Sequence, residues 1–422
     1  MSDAAIDAPL PPVDDSCAGP CPQSNVKHVV ILVQENHTFD NHFGRYCTAP
    51  AGSNPTCNDG PACCEAAPQS DPSGVPLGNL DDNAMGLWDP DHTSSCESQE
   101  MDNGAMDKYG GPGPCGDPRN VVTSDPTIIQ PYWDLAASGA IADRYFQPIV
   151  GQSSSNDMYM ARANFVFEDN DFGPTGAVGV KCSLTPADMT YTDTTLGDLL
   201  DAANVPWTYY AGGYAAQAAA SAQGICASHP DDCPANLNLY PCTFDPSDVP
   251  FEYYATTRDV PAHIADDTQF FSDLQNGTLP AIAFVRAVGY KSEHPGQFTK
   301  LSTGVQYVTT AISAVLASRY RDDTLILFTY DEGGGYFDHV SPPPNSAIDQ
   351  KPYGTRIPFV VLGPFAKKNY VSHVVMEHSS FVKFLEWNFL GGATGQLGTR
   401  DTVVSSIADL LDETAVGAAV PN

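Results

Sequence analysis

Three apolar segments of the sequence end abruptly in groups that could do chemistry. HVVILVQEN, from residue 28, runs into Glu35-Asn36; TLILFTYDEGGG, from residue 324, runs into Asp331-Glu332 and three glycines; AIAFVRAVGYKSEHPG, from residue 281, runs into Glu293-His294. Carboxylates drawn together at strand ends repel one another unless a proton or a cation lies between them. Oxygen donors of this kind suit a hard divalent cation such as Ca2+, Mg2+ or Mn2+, and imidazoles joining them would admit Zn2+ or iron. Glu35, Asn36, Asp331 and Glu332 are therefore the candidate metal ligands. An acidic pair after a strand is also an ordinary turn or helix cap. Two such pairs, after two strands that should both be central, favour the metal.

A fourth segment, IADRYFQPIVGQSSSNDMYMARANF, carries an apolar stretch into Gly151-Gln152-Ser153-Ser154-Ser155-Asn156 and then into a helical pattern. A serine at a helix N-terminus meets oriented N–H groups and a partial positive charge, which favour both its alkoxide and a bound phosphate. The same triplet would serve as a plain N-cap.

These groups need a frame. Val29–Gln34, Trp207–Ala211, Ala281–Val288, Thr324–Tyr330 and Ile357–Gly363 read as buried strands, being short, β-branched or aromatic, and closed by glycine or polar turns. Ile128–Ala137, Thr195–Ala203, Leu301–Arg319 and Ser379–Leu390 read as helices between or after them. This alternation predicts an α/β fold, a mostly parallel central sheet with helices on both faces, whose ligands bind beyond the carboxyl ends of the strands. Residues 1–25 read as a flexible arm, and 26–422 as one domain with loop insertions near 45–125 and 212–260, rich in Cys, Gly, Pro, Asp and Asn.

The chain has 422 residues, of which 42% are hydrophobic and 10% aromatic, enough for a large core. Its 51 acidic against 19 basic residues give a net charge of −32, a field that repels nucleic acid and anionic membranes. All 12 cysteines lie at or before residue 242 and lack paired zinc-type spacing, so up to six disulfides and a secreted or periplasmic location are expected. No apolar run approaches the ~20 residues of a spanning helix. The acidic, Pro-rich N-terminus is unlike a leader and is expected to belong to a mature chain.

ENHTFDNHFG resembles the ENR-S/T-FD-x-x-FG motif of bacterial phosphoesterases, the family of haemolytic and non-haemolytic phospholipases C and a group of acid phosphatases. DPDHTSSCESQEMDNGAMDKY, ADRYFQPIVGQSSSN, SEHPG, TYDEGGGYFDHVSPP and GTRIPFVVLGPFAKKNYVSHVVMEHSSFVKFLEWNF continue the resemblance in the family's order. It implies an alkaline-phosphatase-like fold and a nucleophilic serine bound to metal. Ser153, at the G-x-S/T position, becomes nucleophile and ligand beside Glu35, Asn36, Asp331 and Glu332. His92, His294 and His378 become contacts to the phosphate or leaving group, or ligands of a second ion. The chain departs from the pattern at His37, where the family has Arg, at Ala105, where it has Lys, and at Gly333, where it often has His or Asn. His37 could be a pH-sensitive stand-in or packed core, and Asp338-His339 reads as a hydrogen-bonded turn. Glu168-Asp169-Asn170-Asp171 could hold a separate calcium ion, although a plain polar loop is favoured.

The resemblance leads to three expectations. The first is a secreted phospholipase C on zwitterionic lipid such as phosphatidylcholine, acting through a phosphoserine, with aromatics such as Trp88, Tyr109, Tyr209, Tyr210, Tyr253 and Tyr254 available to an ammonium group. The second is an acid phosphatase or phosphodiesterase of small soluble esters, and the third an inactive surface-binding protein on the same frame.

Overall fold

The computed structural model describes residues 20–183 and 187–422. Of the arm expected over residues 1–25, residues 1–19 lie outside them, while the Gln23 and Asn25 N–H groups near its end donate to Asn388 O and Val416 O (2.9 Å each). The centre is a sheet of eight strands, β1 (His28–Gln34), β2 (Ala140–Ala142), β3 (Trp207–Ala211), β4 (Ile264–Asp266), β5 (Ile282–Arg286), β6 (Thr324–Tyr330), β7 (Phe359–Leu362) and β8 (Tyr370–Ser372), in the order β8-β2-β7-β6-β1-β5-β3-β4. Every neighbouring pair is parallel except those made by β7, which runs against both β6 and β2. The apolar residues of β1 and β6 are at most 1% exposed, which is why both read as unbroken apolar runs rather than alternating ones.

Five helices matter to the site: α1 (Phe39–Phe43), α2 (Pro126–Ser138), α3 (Ser153–Arg162), α4 (Leu301–Ala317) and α5 (His378–Phe389). Helix α2 packs on α4 and α1, and α3 packs on α5, giving the two helical layers of an α/β sandwich. Helix α4 buries Val305, Val308, Ile312 and Val315, the stripe expected from its 3.6-residue period, while Leu316 stays 37% exposed.

The stretches 45–125 and 212–260 are long connections, but each contains short helices, including Asp82–Leu87, Ser94–Met101 and Tyr214–Ser221. Five disulfides pin them and their flanks among the described residues: Cys47–Cys64, Cys57–Cys63, Cys96–Cys115, Cys182–Cys226 and Cys233–Cys242. Among the described residues no helix is long and apolar enough to cross a membrane.

Candidate active site

Register brings the carboxylates together. Gln34 at the end of β1 lies opposite Tyr330 at the end of β6, and Val33 lies opposite Arg286 at the end of β5. Glu35-Asn36 and Asp331-Glu332 therefore leave the sheet side by side. The Asp331 N–H donates to Gln34 O (3.0 Å), and the Asn36 N–H donates to Asp331 Oδ1 (3.0 Å). Asn36 has φ +68°, and the turn closes because Gly334, at φ +67°, lies over it: a Cβ there would stand 2.3 Å from Asn36 O.

Ser153 is the first residue of α3 and 5% exposed. Its hydroxyl donates to Asn36 Oδ1 (3.4 Å) and is near enough to the Asp331 carboxyl to favour its charged form. The turn before it needs glycine, since Gly151 has φ +132° and a Cβ would come within 2.6 Å of Asp169 Oδ1. The acidic loop 168–171 supports the same turn. Asp169 accepts from the N–H groups of Ser94 (2.7 Å) and Gln152 (3.3 Å), and Asn170 Oδ1 accepts from Ser154 N–H (2.8 Å). These side chains satisfy part of the α3 terminus and leave Ser153 facing a cavity.

That cavity, about 230 Å³, is lined by Glu35, His92, Ser153 and His294 together with Tyr240 and the carboxylates of Asp89, Asp245 and Asp248. Asn36, Asp331 and Glu332 stand behind Ser153. His92 Nδ1 donates to the Pro90 carbonyl (2.8 Å), so Nε2 is the acceptor that receives the Asn36 amide (3.2 Å) and directs Asn36 Oδ1 toward Ser153. His294 Nδ1 donates to Pro295 O (2.7 Å), leaving Nε2 for proton exchange, and its ring centre is 6.0 Å from that of His92. His378 does not line the cavity, contrary to the expectation of a phosphate contact. It is fully buried, one ring nitrogen against Asp331 O (2.8 Å) and the other against Tyr145 OH (2.9 Å), and burial lowers its pKa to about 4. It steadies the Asp331 backbone.

The sequence reading missed Arg286. Its guanidinium sits at the centre of the carboxylates, donating to Glu35 Oε1 from Nε (3.1 Å) and Nη2 (2.5 Å), to Asp157 Oδ2 (2.7 Å) and to Asp331 Oδ2 (3.1 Å). Tyr240 OH (2.6 Å) and Ser292 Oγ (2.5 Å) donate to the other oxygen of Glu35. Burial raises the Glu35 pKa, but Arg286, His294 and these hydroxyls more than reverse that and hold it below its ordinary value. With four donors, the acceptor capacity of Glu35 is filled.

Glu332 is the opposite case. One oxygen accepts from Gly334 N–H (2.5 Å), while Oε1 is buried, 3.9 Å from His92 Nε2 and without a hydrogen-bond partner. Burial, then the charges of Asp331 and Glu97, push its carboxyl well above the ordinary range. An unsatisfied buried carboxylate oxygen, on the residue next to Asp331 and near the same His92 ring nitrogen that receives the Asn36 amide, fits a divalent cation. Asn36 Oδ1, Ser153 Oγ and Glu332 Oε1 keep capacity for that role, whereas Glu35 is committed to Arg286; Asp331 Oδ1 already accepts from the N–H groups of Asn36 (3.0 Å) and Glu332 (2.7 Å), so Asp331 would contribute through Oδ2, which it shares with Arg286 (3.1 Å).

Other expectations resolve as packing. His37 is stacked on Tyr336 and bonded to Glu293 O (3.1 Å); burial, aided by His42, lowers its pKa to about 3, so it stays neutral and senses no physiological pH change. His339 lies between Asp40 (2.7 Å) and Glu65 (3.1 Å), and Asp338 accepts from Arg356 (2.8 Å), as suits a structural turn. Among the described residues, Asp40, Asp338 and His339, and separately His37, His42 and Glu293, have geometries that could also hold an ion. Tyr109, Tyr209, Tyr210, Tyr253 and Tyr254 are core residues at most 1% exposed, so they offer no ammonium site; Tyr240 is the aromatic that lines the cavity.

Residues 26–390 match the phosphoesterase family. The chain is similar to a protein of Mycobacterium tuberculosis named phospholipase C B, 24% identical over 92% of this chain and 78% of the relative. It is also similar to the non-hemolytic phospholipase C of Pseudomonas aeruginosa, 25% identical over 86% of this chain and 54% of the relative. Among solved structures it is similar to a protein in the alkaline phosphatase superfamily from Vibrio parahaemolyticus (13% identity, TM-score 0.38, 93% of this chain and 74% of the other). A second is the lipoteichoic acid synthase LtaP from Listeria monocytogenes (11% identity, TM-score 0.39, 90% and 76%).

Proposed function

This chain belongs to the phosphoesterase family and is a hydrolase of phosphate esters; on that premise we propose that it is a secreted phospholipase C acting on zwitterionic lipid of the phosphatidylcholine type. The observation that carries this reading is the make-up of the cavity over Ser153, where Asp89, Asp245 and Asp248 face the space a leaving group or headgroup would fill. Three acidic side chains and a tyrosine suit a cationic headgroup and disfavour a dianionic monoester; burial pushes the carboxyl of Asp245 up and that of Asp248 well above its ordinary value, so an entering cation would favour their ionised forms.

Ser153 is the proposed nucleophile. A divalent cation held by Asn36, Asp331, Glu332 and Ser153 would supply the Lewis acidity that favours the Ser153 alkoxide and takes up charge on the phosphoryl oxygens. The Ser153 oxygen, its proton passed to solvent, attacks phosphorus, the bond from phosphorus to the leaving alcohol breaks, and His294 gives that alcohol its proton from Nε2. Water then cleaves the phosphoserine, with the same histidine accepting the proton, and two displacements give retention at phosphorus. Arg286 holds Glu35, Asp157 and Asp331 in place, and His378 fixes the Asp331 backbone.

A second reading, hydrolysis of small soluble esters, is favoured by the cavity's size, which admits a headgroup but no acyl chain. Turnover of p-nitrophenyl phosphate, p-nitrophenylphosphorylcholine and phosphatidylcholine vesicles, each with and without chelator, separates the two. Cleavage of p-nitrophenyl phosphate alone would remove the lipase reading.

A further inference from the structure

Among the described large hydrophobic residues, the two most exposed are Phe298, at 62%, and Leu87, at 61%. They come from segments more than 200 positions apart, yet their backbones touch: the Phe298 N–H donates to Gly86 O (2.8 Å), and the Gly296 N–H donates to Met85 O (2.7 Å). Each adjoins a residue that lines the catalytic cavity, Gln297 before Phe298 and Asp89 two positions after Leu87. Between them Trp88 is half-buried, its indole N–H bound to Asn120 (2.9 Å) and its face covered by Arg119. Lys300, two positions past Phe298, is exposed.

The backbone holds Phe298 in this position at a cost. Gln297 and Phe298 have φ +52° and +61°, left-handed values that side-chain-bearing residues rarely adopt, and Thr299 locks the loop by donating to Gly296 O (2.8 Å) and accepting no burial of Phe298 in return. A single exposed phenylalanine is ordinary, but one held on a pinned, strained turn, bonded through its backbone to the segment of exposed Leu87 and next to a residue that lines the cavity, offers an apolar tip beside the site.

We propose that Leu87 and Phe298 form a docking tip that enters the surface of a zwitterionic phospholipid layer and brings a headgroup to the mouth of the cavity. The proposal rests on the lipase reading and gives that site its partner surface. The cavity takes only a headgroup, so a lipid substrate has to be met at the plane of the layer, and the tip is joined in sequence to Asp89 and Gln297, which line that cavity. The net charge of −32 opposes approach to anionic lipid, which leaves a zwitterionic surface as the occupant. Leu, Phe and a half-buried Trp with nearby basic side chains are the residue types that settle at the headgroup and acyl boundary.

The test uses the full oxidised chain. Binding is read by co-sedimentation with phosphatidylcholine vesicles, in a Ser153→Ala background so that lipid is not consumed. The double variant Leu87→Ser/Phe298→Ser should partition at least about tenfold more weakly than its parent, and Phe298→Trp should bind as the parent does. In the active background the double variant should lose vesicle hydrolysis by a similar factor. Its kcat/KM on p-nitrophenylphosphorylcholine should stay within about twofold, since neither side chain lines the cavity. Equal vesicle binding by parent and double variant overturns the docking tip, as does a parent that does not bind vesicles, or an equal loss on the soluble ester. If the parent hydrolyses vesicles and the double variant matches it, the tip fails while the lipase reading stands. A parent that cleaves phosphatidylcholine in no form, detergent-dispersed lipid included, removes the lipase reading itself.

Discussion

Arg286 and Glu35 meet through two N–H groups of one guanidinium on a single carboxylate oxygen, at 3.1 and 2.5 Å, with both side chains buried. This pair lies where β5 and β1 end together, and the same guanidinium reaches Asp157 and Asp331. Four acidic side chains converge on one arginine once Asp248, 4.0 Å away, is included.

Removing that cation leaves several buried carboxylates without their counter-charge. Arg286→Gln should destabilise the protein by about 3–5 kcal/mol, and Arg286→Lys should recover part of the loss, because a lysine keeps the charge without the fork. Urea denaturation of the three proteins measures it. A change under about 1 kcal/mol in Arg286→Gln would show that the carboxylates are held by other means.

Ser153→Ala should lower turnover of any ester the protein cleaves by about a thousandfold or more while the melting temperature stays nearly unchanged. The hydroxyl's hydrogen bond is to Asn36 Oδ1, in a side chain whose amide keeps its bond to His92. Acid-quench trapping should find labelled phosphate on the parent and none on the variant. Retained turnover would move the nucleophile elsewhere.

Glu332→Gln should act in opposite directions on binding and stability. The cation affinity, measured by calorimetry on chelator-treated protein, should fall at least about tenfold. In the cation-free protein the melting temperature should hold or rise, because a neutral amide removes a buried carboxyl with an unpartnered oxygen. Chelation of the parent should abolish turnover, and adding back Ca2+, Mg2+, Mn2+ or Zn2+ in turn identifies the ion that restores it.

Stability should fall as pH rises from about 7 to 9, above the range in which the buried neutral His37, His42 and His378 act in the opposite sense. Burial raises Glu97 to about 8, despite the N–H groups of Gly151 and Gln147 that bind it, and burial together with Glu97 raises Glu100 to about 10. In that interval the unfolded chain has lost protons that the native state keeps, so raising pH favours unfolding. Melting temperatures across pH 7 to 9 should decline, and Glu100→Gln should flatten the decline. A stability maximum near pH 8 in the parent would contradict this.

The parts legible in the sequence are those where one physical demand dominates a whole segment. Val29–Gln34 and Thr324–Tyr330 are buried on both faces and apolar throughout, and the abrupt onset of Glu35-Asn36 and Asp331-Glu332 marks their ends. The strands Ala140–Ala142, Ile264–Asp266 and Tyr370–Ser372 were not legible: three residues are too few to show a period, and the sheet supplies their partners. Arg286 was overlooked because a single charge in IAFVR looks like a strand end. Its signal was there, since a guanidinium inside an apolar run has to be paired. The loop Glu168–Asp171 reads as acidic and solvated, but Asp169 and Asn170 are spent on the backbone around Ser153, a use that only the fold discloses.

The cross-links described above lie wholly in the connections and their flanks, and no strand of the central sheet carries one. Mild reducing agent should therefore act on this molecule unevenly. Segments that wall the catalytic opening, including the one bearing Tyr240, would loosen while the hydrogen-bonded interior persists, so thiol exposure would silence the enzyme before it melted. Such a protein would carry its own off-state into any compartment that breaks sulfur bridges.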